Sequence, residues 1–130
     1  MAHTYTNLLI HALFSTKDRQ PIIHPEMKSD LYAYMGGIIT SVRGKPLLIN
    51  GPKDHVHLLC ALPSTLSLAD FMEKLKANSS KWVDECSGRR VFSWQTGYAA
   101  FSVSQSKLKK VREYISQQEE HHCMLMDRDE

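Results

Sequence analysis

No apolar run in this 130-residue chain approaches the roughly 18 residues of a membrane span, and its first residues lack a charged segment followed by a signal-like apolar stretch. A cytoplasmic protein without membrane contact is expected. Cysteine is scarce: Cys60, Cys86 and Cys123 form no C-x-x-C pair and cannot all be joined within the chain, which fits a reducing compartment. Cys60 alternates with Val56, Leu58 and Leu62, as a small buried hydrophobe does. A phosphate-binding Walker loop is missing too, because Arg43-Gly44-Lys45-Pro46 lacks both the upstream glycine and the following Ser/Thr. No nucleotide cofactor is therefore expected. Internal repeats and low-complexity segments are absent, and a composition of 42% hydrophobic and 23% charged residues fits one domain over residues 1–130.

The net charge of +2 hides an asymmetry. Residues 1–112 carry 15 Lys and Arg against 8 Asp and Glu, whereas residues 113–130 carry 1 against 6. A basic body suits a polyanion, although a solvated charged face has the same composition.

Hydrophobic periodicity gives the elements. Residues 5–15 are apolar on both faces, as in a central strand, and the polar stretch from Lys17 to Pro21 ends them. Pro25 suits a first helical turn, and Met27, Leu31, Tyr34, Met35, Ile38 and Val42 follow at helical spacing up to Gly44. Residues 47–49 and 55–62 predict a hairpin across Gly51-Pro52-Lys53-Asp54. Ser67 with Asp70 opens a second helix with Leu68, Phe71, Met72, Leu75 and Trp82 on its stripe, closed by Gly88. Residues 98–103 predict a fourth strand and residues 107–122 a last helix. The order β-α-β-β-α-β plus a C-terminal helix is the α+β, ferredoxin-like (RRM-like) plan, with a four-stranded antiparallel sheet whose first and third strands are central.

Chemistry concentrates in His55-Val56-His57. On a strand these imidazoles project to one face roughly 7 Å apart, where they can share a metal ion or be satisfied polar groups. A zinc enzyme usually needs a third His, Cys or carboxylate; the sequence assigns none, though His11 on the first strand could supply one. With the amide oxygen of Gln118 instead, the mixed nitrogen and oxygen set suits Mg²⁺ or Mn²⁺. Tyr114 and Gln118, spaced i, i+4, are neighbours on the last helix, beside its apolar stripe. Each has a plain alternative, a packing tyrosine and a solvated glutamine. Arg89, Arg90, Lys107, Lys109, Lys110 and Arg112 are candidate phosphate contacts, and Trp94 and Tyr98, outside any helical stripe, are candidate stacking surfaces for unpaired bases. His121 and His122 suit a helix end.

The ordered motifs His55-Val56-His57-Leu58-Leu59, Trp94-Gln95-x-Gly97-Tyr98-x-x-Phe101-Ser102-Val103-Ser104 and Val111-x-x-Tyr114-Ile115-x-x-Gln118-x-x-His121-His122 together resemble the HUH single-tyrosine transposases of the insertion-sequence 200/605 type. Phe14-Ser15-Thr16-Lys17-x-Arg19-x-Pro21 is similar to their opening, and the resemblance covers nearly the whole chain. It implies a homodimer with Mg²⁺ or Mn²⁺ on His55, His57 and Gln118. It also implies that Tyr114 attacks single-stranded DNA at imperfect hairpins, giving a 5′-phosphotyrosine and a free 3′-OH. Partly from the resemblance, a site shared between two chains is expected, with Tyr114 of one copy reaching the histidines of the other. The alternative is a non-catalytic or domesticated single-stranded nucleic-acid-binding module of the same fold.

Overall fold

Four strands and three helices follow the expected order in a computed structural model that describes residues 3–88 and 92–118. Strand β1 spans Leu8–Ser15, helix α1 Pro25–Ser41, β2 Lys45–Asn50, β3 His55–Leu62, helix α2 Leu68–Ser87, β4 Ala99–Ser102 and helix α3 Leu108–Ser116. The sheet order is β2-β3-β1-β4 and every neighbour pair is antiparallel. The two central strands are thus β1 and β3, as the ferredoxin-like plan requires.

Pleating divides this sheet into two chemically different faces. Ile10, Ala12 and Phe14 of β1 and Val56, Leu58 and Cys60 of β3 join the main core with Leu31, Met35 and Ile39 of α1 and Phe71, Met72, Leu75 and Val83 of α2. Burying each such Leu, Ile, Val, Met or Phe contributes roughly 1.5–3 kcal/mol, which fixes β3 in this orientation. The residues between them, His11 on β1 and His55 and His57 on β3, fall on the opposite face. There α3 packs on β2 and β3, burying Ile115 outside the main cluster.

Local chemistry explains the element ends. The Ser67 hydroxyl accepts a hydrogen bond from the Asp70 N–H at 3.1 Å, so Ser67 caps α2 as expected, and Gly88 ends it in the left-handed conformation at φ 75°. Pro25 opens α1, which stops at Ser41 because Arg43, at φ 71°, turns the chain before Gly44. Gly44 serves space instead: a Cβ there would press on Ile39 and on the Ala61 carbonyl. Strand β2 is longer than residues 47–49 because Pro46 lies on an edge strand with a register shift before Leu48. Strand β1 begins at Leu8, where pairing with Leu62 starts, and leaves Tyr5 exposed. Trp82 packs, partly buried, against the core and stacks at 5.0 Å on the exposed Tyr34. Helix α3 starts at Leu108, one residue after the expected 107, and residues 119–122 of the expected span, with Cys123, lie outside the described residues.

The turn before β3 depends on Gly51, where a Cβ would collide with the carbonyl oxygen of His55. Gly37, exposed in mid-α1, has nothing within 4 Å of the corresponding position. Gly37→Ala is expected to stabilise the protein by about 0.5–1 kcal/mol through reduced chain entropy. Gly51→Ala is expected to cost roughly 1–3 kcal/mol through forced overpacking. Paired denaturant melts check both signs.

Candidate active site

The cross-strand register sets the site. His57 pairs with Leu13 on β1 and with Asn50 on β2, and His55 pairs with Ser15. The two histidine rings lie 5.1 Å apart between centroids, and both residues are buried, at 5% and 4% exposure. Each has its Nδ1 anchored by a neighbour. His55 Nδ1 lies 2.8 Å from Asp54 Oδ1, and Asp54 Oδ2 is held by Arg19 Nη2 at 3.2 Å. An ionised carboxylate only accepts, so Nδ1 of His55 carries a proton, and in the neutral ring the lone pair is on Nε2. His57 Nδ1 lies 3.0 Å from His11 Nε2, and these rings stack 5.2 Å apart. Desolvation by burial lowers the pKa of His11, which favours its neutral form.

Helix α3 delivers Tyr114 against this group. The Tyr114 ring meets His57 edge-on at 6.0 Å and His11 at 6.2 Å, and remains 47% exposed. The Asn50 side chain donates to the carbonyls of Ile115, at 2.9 Å, and Ser116, at 3.2 Å, tying the end of α3 to β2 beside His57. Gln118 is fully buried, which removes the reading of it as a solvated helix residue. Its Nε2 donates to the Tyr114 carbonyl at 3.3 Å, while its Oε1 is buried without a hydrogen-bond partner among the described residues.

These donors fit a hard divalent ion. Two imidazoles whose second nitrogens are already oriented, plus a buried amide oxygen with unused lone pairs, make the mixed set that suits Mg²⁺ or Mn²⁺. Among the described residues no three His, Cys, Asp or Glu side chains converge on a metal position. His11 Nε2 is engaged with His57 Nδ1, and His11 completes no three-ligand His, Cys, Asp or Glu set among the described residues.

A cleft of about 490 Å³ opens over the histidines, lined by Arg19, Tyr98, Phe101 and Tyr114 among others. A second groove of about 390 Å³ shares His11 and Tyr114 with it and is lined by Lys107 and Lys110. The candidate contacts Tyr98, Lys107 and Lys110 thus flank Tyr114, whereas Arg89 and Arg90 lie outside the described residues. Trp94 is a correction. It is only 9% exposed, packs edge-on against Phe14 at 4.6 Å and Phe92 at 4.8 Å, and its indole N–H donates to Ser79 Oγ at 3.0 Å. Pairing of Trp94 with Thr16 turns the indole into the core, so no base can stack on it. The loop that follows is fastened by Lys76, whose ammonium donates to the carbonyls of Gln95 and Gly97 and whose pKa burial lowers. Cys60 behaves as a buried hydrophobe, its thiol pushed up to about 12 by burial.

The profile of the family described as Transposase IS200 like matches residues 4–118. The chain belongs to that family. Among relatives of this IS200-like protein, the transposase for insertion sequence element IS200 of Salmonella typhimurium is 27% identical over 130 residues, covering 95% of this chain and 85% of that one. The corresponding transposase of Salmonella typhi matches to the same extent. A putative transposase from Deinococcus radiodurans has the same fold, with a TM-score of 0.70, 21% identity and coverage of 92% of this chain and 97% of that one. A REP-associated tyrosine transposase bound to a REP hairpin superposes with a TM-score of 0.60 at 11% identity, over 88% of this chain and 67% of that one.

Sequence reasoning missed Asn50, Asp54 and Arg19 as supports of the site. Asn50 and Asp54 flank a Gly-Pro turn and read as turn formers, and Arg19 reads as loop charge. The assignment of Trp94 to the core is checked by thermal melts. Trp94→Ala is expected to cost about 3–5 kcal/mol, and Tyr98→Ala to stay within about 0.5 kcal/mol of the parent.

Proposed function

We propose that this IS200-like protein is a single-tyrosine transposase that cleaves and rejoins single-stranded DNA at hairpin-marked ends through a 5′-phosphotyrosine. The observation that carries the reading is the placement of Tyr114 against His57, with His55 and His57 each anchored through Nδ1. In the forward step the phenolic oxygen of Tyr114 forms a bond to phosphorus, the bond to the 3′ oxygen breaks, and that oxygen takes a proton from solvent to become a free 3′-OH. The phenolic proton passes to solvent. Rejoining reverses the exchange, so the bond energy is kept and no nucleotide is consumed.

Nε2 of His55, Nε2 of His57 and Oε1 of Gln118 would hold Mg²⁺ or Mn²⁺, which when bound polarises the phosphate and stabilises charge developing on it. Arg19 and Asp54 hold the His55 ring, and Asn50 holds the helix end that carries Tyr114. Lys107 and Lys110 extend the site along the DNA backbone through charge, without reading sequence. The hairpin on the REP-associated relative supports a hairpin substrate, and homodimerisation is proposed from the family resemblance. The 6.0 Å ring contact between Tyr114 and His57 within one copy supports catalysis inside each chain as one arrangement, and the site shared between two chains is the other. The exposed rings of Tyr98 and Phe101 beside the cleft suit base stacking and also favour the second reading, a binding module without cleavage.

Incubation with hairpin-tipped single-stranded DNA and Mn²⁺ should give a denaturation-resistant adduct on Tyr114. Tyr114→Phe should fold and bind DNA with no adduct, since only the attacking oxygen is lost. Excess chelator should abolish cleavage, and His57→Ala should do the same while retaining DNA affinity. DNA binding without adduct in the parent protein would establish the second reading. Co-folded Tyr114→Phe and His57→Ala chains separate the arrangements of the dimer. In-chain catalysis yields no adduct from verified heterodimers, whereas an adduct on the His57→Ala chain would show exchange between copies.

A further inference from the structure

We propose that His11 is a positioning residue for His57: it accepts the Nδ1 proton of His57 and so holds that imidazole in the tautomer whose lone pair lies on Nε2. The inference rests on the metal-dependent reading above for its consequence, but its physical basis is the contact alone. His11 sits diagonally from His57 across the central strand pair, since His57 faces Leu13 and His11 is two residues further along the same face of β1. That offset lets the rings stack at 24° with Nε2 of His11 3.0 Å from Nδ1 of His57. Two neutral imidazoles share such a bond in one of two ways. Either His57 donates from Nδ1, which leaves its Nε2 as an electron-pair donor, or His11 donates from Nε2, which puts the His57 proton on Nε2 and bars that nitrogen from a cation.

His55 makes the first arrangement the coherent one for the pair. Its Nδ1 proton is taken by Asp54, so an acceptor at the matching position of His57 gives both rings the same tautomer. The two acceptors differ in charge. A carboxylate serves His55, and a neutral ring serves His57 where Tyr114 packs against both His11 and His57. A second carboxylate at that point would add negative charge where a phosphate must approach, so an uncharged acceptor orients the ligand without repelling the substrate.

The test compares His11→Leu, which fills the strand position without an acceptor, with His11→Gln, whose amide oxygen supplies one. Long-range proton–nitrogen spectra of metal-free protein at pH 8 should place the His57 proton on Nδ1 in the parent and in His11→Gln, and shift it toward Nε2 in His11→Leu. Mn²⁺ affinity measured by calorimetry without DNA should fall about 10–100-fold in His11→Leu and return to within a few-fold in His11→Gln. An unchanged His57 tautomer in folded His11→Leu overturns the proposal. A His11→Gln variant with the parent tautomer but no recovered Mn²⁺ affinity also overturns it, making His11 a direct ligand. If the parent binds no Mn²⁺, the metal-dependent reading fails, and the tautomer spectra still decide the role of His11.

Discussion

Alternation along β3 is the constraint on which the site depends. Val56, Leu58 and Cys60 are fully buried beneath α1 and α2, and this leaves His55 and His57 no choice of side. A slip of one residue in pairing with β1 or β2 would drive two imidazoles into the apolar core and expose three hydrophobic side chains. The free energy that holds the histidines in register therefore comes mostly from residues that never approach the cleft. The same burial keeps the Cys60 thiol protonated and inert, although it lies on the strand that bears the histidines.

Above that sheet the site is assembled by polar contacts between segments distant in sequence. Arg19 reaches Asp54, Asp54 reaches His55, and Asn50 grips the end of α3. Asn50 and Asp54 lie on either side of the turn that Gly51 makes possible, so one short connection sets both a histidine ring and the tyrosine helix. Such outer contacts hold angles as much as they hold energy. The chemistry of a positioned nucleophile is sensitive to displacements on the order of 1 Å.

The fold was legible in the sequence where periodicity and capping agreed. The β3 limits, the Ser67 cap, the Gly88 terminus and the two-sided apolar run of β1 all follow from local chemistry, and together they specify the split βαβ order. Legibility failed where a tertiary partner decides. Trp94 falls in a short irregular stretch with no period to place it, and only the Thr16 pairing and the Ser79 hydroxyl turn it inward. Gln118 and Tyr114 share a helix edge by spacing, yet one is fully buried and the other half exposed, because α3 ends at Ser116 and the non-helical Gln117 takes Gln118 out of the helical register. The ring contact between His11 and His57 was hidden for a related reason. A histidine within an apolar run carries no mark of the strand that will lie beside it.

The Lys76 contacts have a consequence for recognition. Its ammonium is anchored on α2 in the core layer, approaches the Phe14 ring at 5.8 Å, and satisfies two backbone carbonyls of the segment leading to Tyr98. That segment is thus shaped when the domain folds. On the proposed reading, a strand of DNA entering the cleft would meet a rim already held by these contacts, so most of the ordering penalty would fall on the flexible polymer.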